Sequence, residues 1–218
     1  MRIDFHTHSK RETDDIIEVV SIHSQKKEPW DWYTVGFHPW WINGLLTDAE
    51  LDFLKEKLEQ DAFCLGLGEC GLDKLKGVDL QMQEAVFIQQ IELANALNAP
   101  MIIHCVRVYD SVLKLYRRLA KTPWVIHGYR RHPILAKSII DEGIYLSVAP
   151  SGKMTTSFVE TLKYLPLDRF FIETDSETSL NIRQRYEVFS EVRGIEMNDL
   201  EEQLYHNFKT FFQWKYLG

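Results

Sequence analysis

The chain has little from which to build a cross-linked or membrane-spanning protein. It holds three cysteines in 218 residues, Cys64, Cys70 and Cys105. An odd count with no Cys-x-x-Cys pair fits neither a disulfide framework nor a zinc knuckle. No apolar run approaches the roughly 20 residues that cross a bilayer, so no membrane association is expected. The first residues carry Asp4, His6 and His8 where a secretory leader has an apolar stretch, and a cytoplasmic location is the expectation. Repeats, low-complexity tracts and Gly/Ser/Pro-rich linkers are missing, which points to one domain over residues 1–218. Basic charge is also scarce: 25 Lys and Arg stand against 32 Asp and Glu, for a net charge of −7. An extended basic footprint on duplex DNA is therefore excluded, and only local cations remain. Hydrophobic residues make up 45% of the chain, enough for a large core.

What is present is an alternation of short apolar runs with amphipathic segments. Strands are predicted at 2–6, 16–23, 32–37, 63–68, 100–104, 123–127, 143–148 and 169–174. Continuously apolar runs such as Met101-Ile102-Ile103 suit strands covered on both faces, as in a parallel sheet. Thr47-x-x-Glu50 reads as a capping box ahead of Leu51, Leu54 and Leu58 at helical spacing. Asp79 can cap a long helix that stops at Asn98-Ala99-Pro100. Further helices are predicted at 109–120, 131–142, 154–164, 181–193 and 198–216. Eight strands alternating with helices give an α/β protein with a (β/α)8 TIM-type barrel. Residues 7–15 and 24–31 are too short for full crossover helices, so the barrel is expected to lack its first outer helices. The C-terminal aromatics Phe208, Phe211, Phe212, Trp214 and Tyr216, or a second copy of the chain in a homo-oligomer, would then cover that flank. The Trp30, Trp32, Trp40 and Trp41 group is another cover for it, or a surface for stacking bases.

The chemistry-bearing residues fall at the predicted strand ends. His6 and His8 close the first strand, and residues i and i+2 of a strand share a face. His38 ends the third, Glu69 the fourth, His104 the fifth, His127 the sixth and Asp175 the eighth. Each has an ordinary structural explanation when taken alone: a buried histidine, a turn, a helix cap. Together they form a mixed imidazole and carboxylate set at the end of the barrel where (β/α)8 active sites are built. Such a set suits Mg²⁺, Mn²⁺ or Zn²⁺. Leaving His38 aside, four histidines and two carboxylates exceed one tetrahedral site, and a carboxylate-bridged pair of divalent ions would use all six.

The same motifs in chain order (His6-Thr7-His8, Gly36-x-His38-Pro39, Gly68-Glu69-x-Gly71-Leu72-Asp73, the strands ending in His104 and His127, and Glu173-Thr174-Asp175) resemble the TatD family of metal-dependent deoxyribonucleases, within the amidohydrolase-like barrel superfamily. The resemblance implies that His6, His8 and Asp175 hold one ion, that His104 and His127 hold the other, and that Glu69 bridges them. Asp175 and Glu69 would then be the catalytic carboxylates, in a hydrolase cleaving phosphodiester bonds at DNA ends by attack of a metal-activated water on phosphorus. His38, Arg107, Arg130, Arg131 and Lys153 are the candidate substrate contacts, the arginines because a guanidinium pairs bidentately with phosphate.

The chain departs from the family in its loops. Ser9-Lys10 follows the His-x-His pair in place of Leu-Asp, Arg107 stands three residues after His104 rather than two, and Ser176-Glu177 follows Asp175 where a proline is common. Two other readings therefore share the ligand set: hydrolysis of a small ester, amide or phosphate monoester, and a barrel that binds metal or nucleic acid without turnover. The polymerase-and-histidinol-phosphatase-like phosphoesterases also open on His-x-His, but lack the Gly-Glu-x-Gly-Leu-Asp motif.

Overall fold

The computed structural model describes residues 1–10, 15–23 and 32–213. Trp30, Trp214 and Tyr216 lie outside the described residues, as do residues 11–14 and 24–31, on which most of the expectation about the first two connections falls. The strands are β1 (Arg2–Thr7), β2 (Ile16–His23), β3 (Trp32–Gly36), β4 (Cys64–Asp73), β5 (Met101–Val106), β6 (Trp124–Ile126), β7 (Tyr145–Val148) and β8 (Phe170–Ile172). The helices are α1 (Asp48–Gln60), α2 (Leu80–Leu97), α3 (Tyr109–Leu119), α4 (Pro133–Asp141), α5 (Thr156–Tyr164), α6 (Ile182–Arg193) and α7 (Met197–Phe211). Among the described residues the first helix follows β3. Strand order follows the chain from β1 to β8, with parallel pairing. The fold is a (β/α)8 barrel. No helix among the described residues is long and apolar enough to cross a membrane.

The helix signals act as the sequence indicates. Thr47 and Glu50 form the reciprocal capping box of α1. The Asp79 side chain accepts from the Met82 N–H at the start of α2, and Asn98 ends that helix in a left-handed conformation. Helix α7 stops at Phe211, five residues short of its predicted end.

Two compact units make up the chain, Met1–Val20 with His127–Phe211, and Ser21–Ile126 with Phe212–Gly218. In the first, Phe5 of β1 stacks on Phe171 of β8 at 3.9 Å between ring centroids. Phe211 of α7 meets both rings edge-on at 5.6 Å. The Asn207 amide donates to the carbonyls of Leu167 and Phe170, and the Tyr186 hydroxyl of α6 bonds both backbone groups of Ile3. Helices α6 and α7 thus cover β1 and β8.

In the second unit three glutamines of α2 act as amide clamps. Gln90 brackets both backbone groups of Phe37 and Gln89 those of Leu46. Gln83 accepts from the Asp73 N–H and donates to the carbonyls of Asp73, Lys76 and Val78. Paired backbone groups keep these loops from losing hydrogen bonds on burial. The loops are those that leave β3 and β4.

Candidate metal centre

Two ligand strands carry a β-bulge beside the residue of interest. Between Asp4 and Thr7, β1 advances three residues while β2 advances two, from Glu18 to Val20. Between Leu67 and Cys70, β4 does the same against β5, from Met101 to Ile103. A bulge bends its strand and re-aims a side chain. His6 lies in the first bulge. Glu69 lies in the second, so it sits inside β4 rather than at its end. The strand runs on to Asp73, five residues beyond the predicted boundary, because pairing with β5 resumes after the bulge.

In the first unit His6, His8 and Asp175 can each direct a ligand atom at one ion, these atoms lying within 4.8 Å of one another. His8 Nε2 is 3.2 Å from Asp175 Oδ1, and the His6 and His8 rings meet edge to face at 5.1 Å. Asp175 is held from both sides of the chain. Its N–H donates to the His6 carbonyl at 2.9 Å, and it forms a parallel bridge with Thr7. Its φ of +53° is a left-handed conformation that aspartate tolerates better than most residues. Buried Asp4 fixes the preceding residue, its carboxylate accepting the Thr174 N–H at 2.9 Å and the Thr174 hydroxyl at 2.5 Å.

His127 stands beside the same strand end. It forms a second potential ligand group with Glu173 and Asp175, and its ring lies 4.3 Å from that of His6. Glu173 is fully buried. One oxygen accepts the Gly128 N–H at 2.8 Å and lies 3.5 Å from His127 Nδ1, and the other accepts the Ser147 hydroxyl. A carboxylate behind a histidine fixes the tautomer and raises the basicity of the outward nitrogen.

In the second unit His38, Glu69 and His104 form a buried group. Glu69 Oε1 is 3.0 Å from His38 Nε2 and 2.7 Å from His104 Nδ1. His38 Nδ1 accepts the Trp40 N–H at 3.1 Å, which leaves Nε2 as the nitrogen that donates to Glu69. His104 Nε2 faces Asp73 Oδ2 at 3.0 Å. Asp73 also accepts from Trp40 Nε1 at 2.7 Å and from the Leu75 N–H. Burial pushes the Asp73 carboxyl up, but the hydrogen bonds from His104, Leu75 and Trp40 outweigh it and hold the group below its ordinary range. Gly71 permits the close approach of β4 to β5: its φ is +139°, and a Cβ there would stand 2.2 Å from the His104 carbonyl oxygen.

The candidate substrate residues are placed differently. Arg107, Arg131 and Lys153 are exposed, Arg107 with a φ of +57° at the end of β5. Arg130 is not a free cation: its guanidinium lies 3.0 Å from Glu177, which also takes Arg185 at 3.1 Å and the Ser179 hydroxyl at 2.7 Å. Arg185 is wholly buried and donates to the Pro150 carbonyl. Together these hydrogen bonds, led by that of Ser179, lower the Glu177 pKa to about 2 against partial burial. A depressed carboxylate contributes stability above its ordinary pKa of 4.5 and loses it as pH falls toward about 2. Glu177→Gln is accordingly expected to destabilise the protein at neutral pH and to match the wild type near pH 2. Urea unfolding across that range checks it.

The sequence reading did not single out Asp4, Asp73, Glu173 or Arg185. Asp73 and Glu173 were visible as the ends of two quoted motifs. Nothing local marked Asp4, whose partner Thr174 lies 170 residues away, or Arg185, whose partners Glu177 and Pro150 lie 8 and 35 residues away.

A TatD homologue of Escherichia coli K12, YjjV, has the same fold: TM-score 0.75 at 22% identity over 90% of this chain and 86% of that one. The 3'-5' ssDNA/RNA exonuclease TatD of Klebsiella pneumoniae is 28% identical over 151 residues, 66% of this chain and 57% of that protein. The metal-dependent hydrolase YcfH of Escherichia coli K12 is 26% identical over 199 residues, 83% of this chain and 73% of that protein. Against the first relatives it matches, the chain spans little more than half their length, 57% and 55%. The sequence profile described as TatD related DNase matches residues 3–213, from β1 with its His-x-His pair to the end of α7. That span takes in every residue of these potential ligand groups, and the chain belongs to the TatD-related DNase family.

Proposed function

We propose that the chain is a divalent-metal-dependent phosphodiesterase that shortens DNA from strand ends. The observation that carries the reading is the pair of three-residue groups, His6/His8/Asp175 and His38/Glu69/His104, at barrel strands of a TatD-family chain. Imidazole and carboxylate donors at this spacing fit Mg²⁺, Mn²⁺ or Zn²⁺. Two ions is the proposed number. His6, His8 and Asp175 would hold one, His104 and His127 the other, and Glu69 would serve both. When bound, such ions polarise a phosphoryl oxygen and bring the pKa of water toward neutral.

The side chains supply the rest. Asp175 accepts the proton of the attacking water. His38 donates to Glu69 and holds its carboxylate in one orientation, as Glu173 holds His127. Arg130, presented by Glu177, pairs with the phosphate. Arg130→Ala is expected to raise KM for an oligonucleotide about tenfold with the metal content unchanged, the scale of losing one charge-assisted contact. Steady-state kinetics with metal analysis checks it, and an unchanged KM would return Arg130 to a surface ion pair.

The test of the function is digestion of end-labelled single-stranded DNA by protein loaded in turn with Mg²⁺, Mn²⁺ and Zn²⁺. Stepwise shortening from one end is expected. DNA left intact with every metal would favour a small ester, amide or phosphate monoester.

A further inference from the structure

The loop that leaves β3 carries Trp40 and Trp41, and the two indoles differ in use. Trp40 is partly buried and committed: its Nε1 donates to Asp73, and the Lys76 ammonium sits 3.5 Å from its ring centroid. Trp41 is 58% exposed. An exposed indole normally sits on a mobile loop or covers a neighbour. This one is fixed from several sides and still leaves most of its surface open to solvent. Gln90 clamps the loop at Phe37 and Gln89 clamps it at Leu46. The Trp41 N–H donates to the His38 carbonyl at 3.1 Å. Its ring rests on His23 at 4.0 Å and on His38 at 4.8 Å between centroids. His38 in turn reaches Glu69 at 3.0 Å. A large apolar ring is thus held rigid, open to solvent, one imidazole away from the Glu69 group.

We infer that Trp41 is a stacking platform for one unstacked nucleobase of a single-stranded substrate. The inference deepens the phosphodiesterase reading and rests on it for the choice of ligand. Every base has a π-face, so an indole grips a strand without reading its sequence. A duplex hides those faces, so the platform selects an unpaired end. Lys76, exposed over Trp40 on the neighbouring loop, supplies a cation for the phosphate next to the stacked base. The arrangement gives an acidic chain a hold on nucleic acid that needs no basic stripe. A ring fixed before binding also loses little conformational freedom on contact. His23 acquires a role here as the edge against which Trp41 rests.

The test is fluorescence anisotropy in EDTA, where no cleavage occurs, with a labelled oligothymidylate and a strand of equal length made of abasic residues. Wild type is expected to bind the thymidylate about tenfold more tightly than Trp41→Ala does, the scale of one base–aromatic stack. Trp41→Phe should recover most of that difference. The abasic strand should bind wild type and Trp41→Ala alike. Equal thymidylate binding by wild type and Trp41→Ala would overturn the inference, as would an equal loss on both strands, which marks loop damage. A wild type that fails to distinguish the two strands overturns it without any variant. Absence of cleavage by the metal-loaded enzyme counts against the phosphodiesterase alone, because the anisotropy comparison does not depend on turnover.

Discussion

Asp175→Asn is expected to lower kcat on a single-stranded oligonucleotide by roughly a thousandfold, within the range for loss of a positioned proton acceptor. The substitution is well controlled by its surroundings. Asparagine accepts the left-handed φ of +53° about as readily as aspartate. The N–H that donates to the His6 carbonyl is retained, and the amide oxygen can still accept the Ser176 N–H as Asp175 Oδ1 does at 2.7 Å. Folding should therefore be preserved, with Tm near that of the wild type. What the variant lacks is the negative charge beside His8 and the capacity to take a proton. Two readouts separate these losses. If metal content stays near wild type while kcat falls, the proton role dominates. If metal content falls in step, Asp175 acts chiefly as a ligand. Full turnover by the variant would remove it from the chemistry.

The parts of this molecule legible in its sequence are those set by local chemistry. The capping box at Thr47 and Glu50, the Asp79 cap and the stop at Asn98 depend on residues within one turn of each other, and all three form. Apolar runs with turn residues between them suffice for eight parallel strands. The boundary of β4 was not legible, because a bulge has no composition of its own: Gly68-Glu69 reads as the end of a strand when it is an interruption within one. Of the site, the residues with ligand chemistry stand out by type. Their supports do not. Asp4 bonds Thr174 from the other end of the chain, Gln83 and Gln90 look like polar residues of an ordinary helix, and Arg185 looks like a surface cation although it is wholly buried. The Arg130 expectation shows the same limit. The sequence presents a cationic pair beside His127, and only the fold shows that Glu177 occupies one of them.

Glu69→Ala is expected to weaken metal binding by at least about a hundredfold, since even outer partners of metal ligands cost 10–100-fold when removed. The side chain is buried, and its Oε1 is the atom that both His38 and His104 face. Deleting it takes the only carboxylate out of the group it forms with those two rings. Glu69→Gln separates charge from shape: the amide oxygen keeps an acceptor for the His38 N–H, so a metal-free Glu69→Gln protein should fold while binding metal poorly. His6→Ala supplies the contrast, for it removes a ligand from the other group. Metal analysis of the three variants after loading in excess Mn²⁺ therefore has distinct outcomes. Loss of all bound metal in Glu69→Ala, against loss of about half in His6→Ala, is the expected result for a carboxylate that serves two ions. Loss of half in both would make Glu69 a ligand of the His104 ion alone, and the proposed sharing would fall. Metal content equal to wild type in Glu69→Ala would take Glu69 out of the ligand set, and the buried contacts with His38 and His104 would then be a hydrogen-bonded support of the β3, β4 and β5 strand ends.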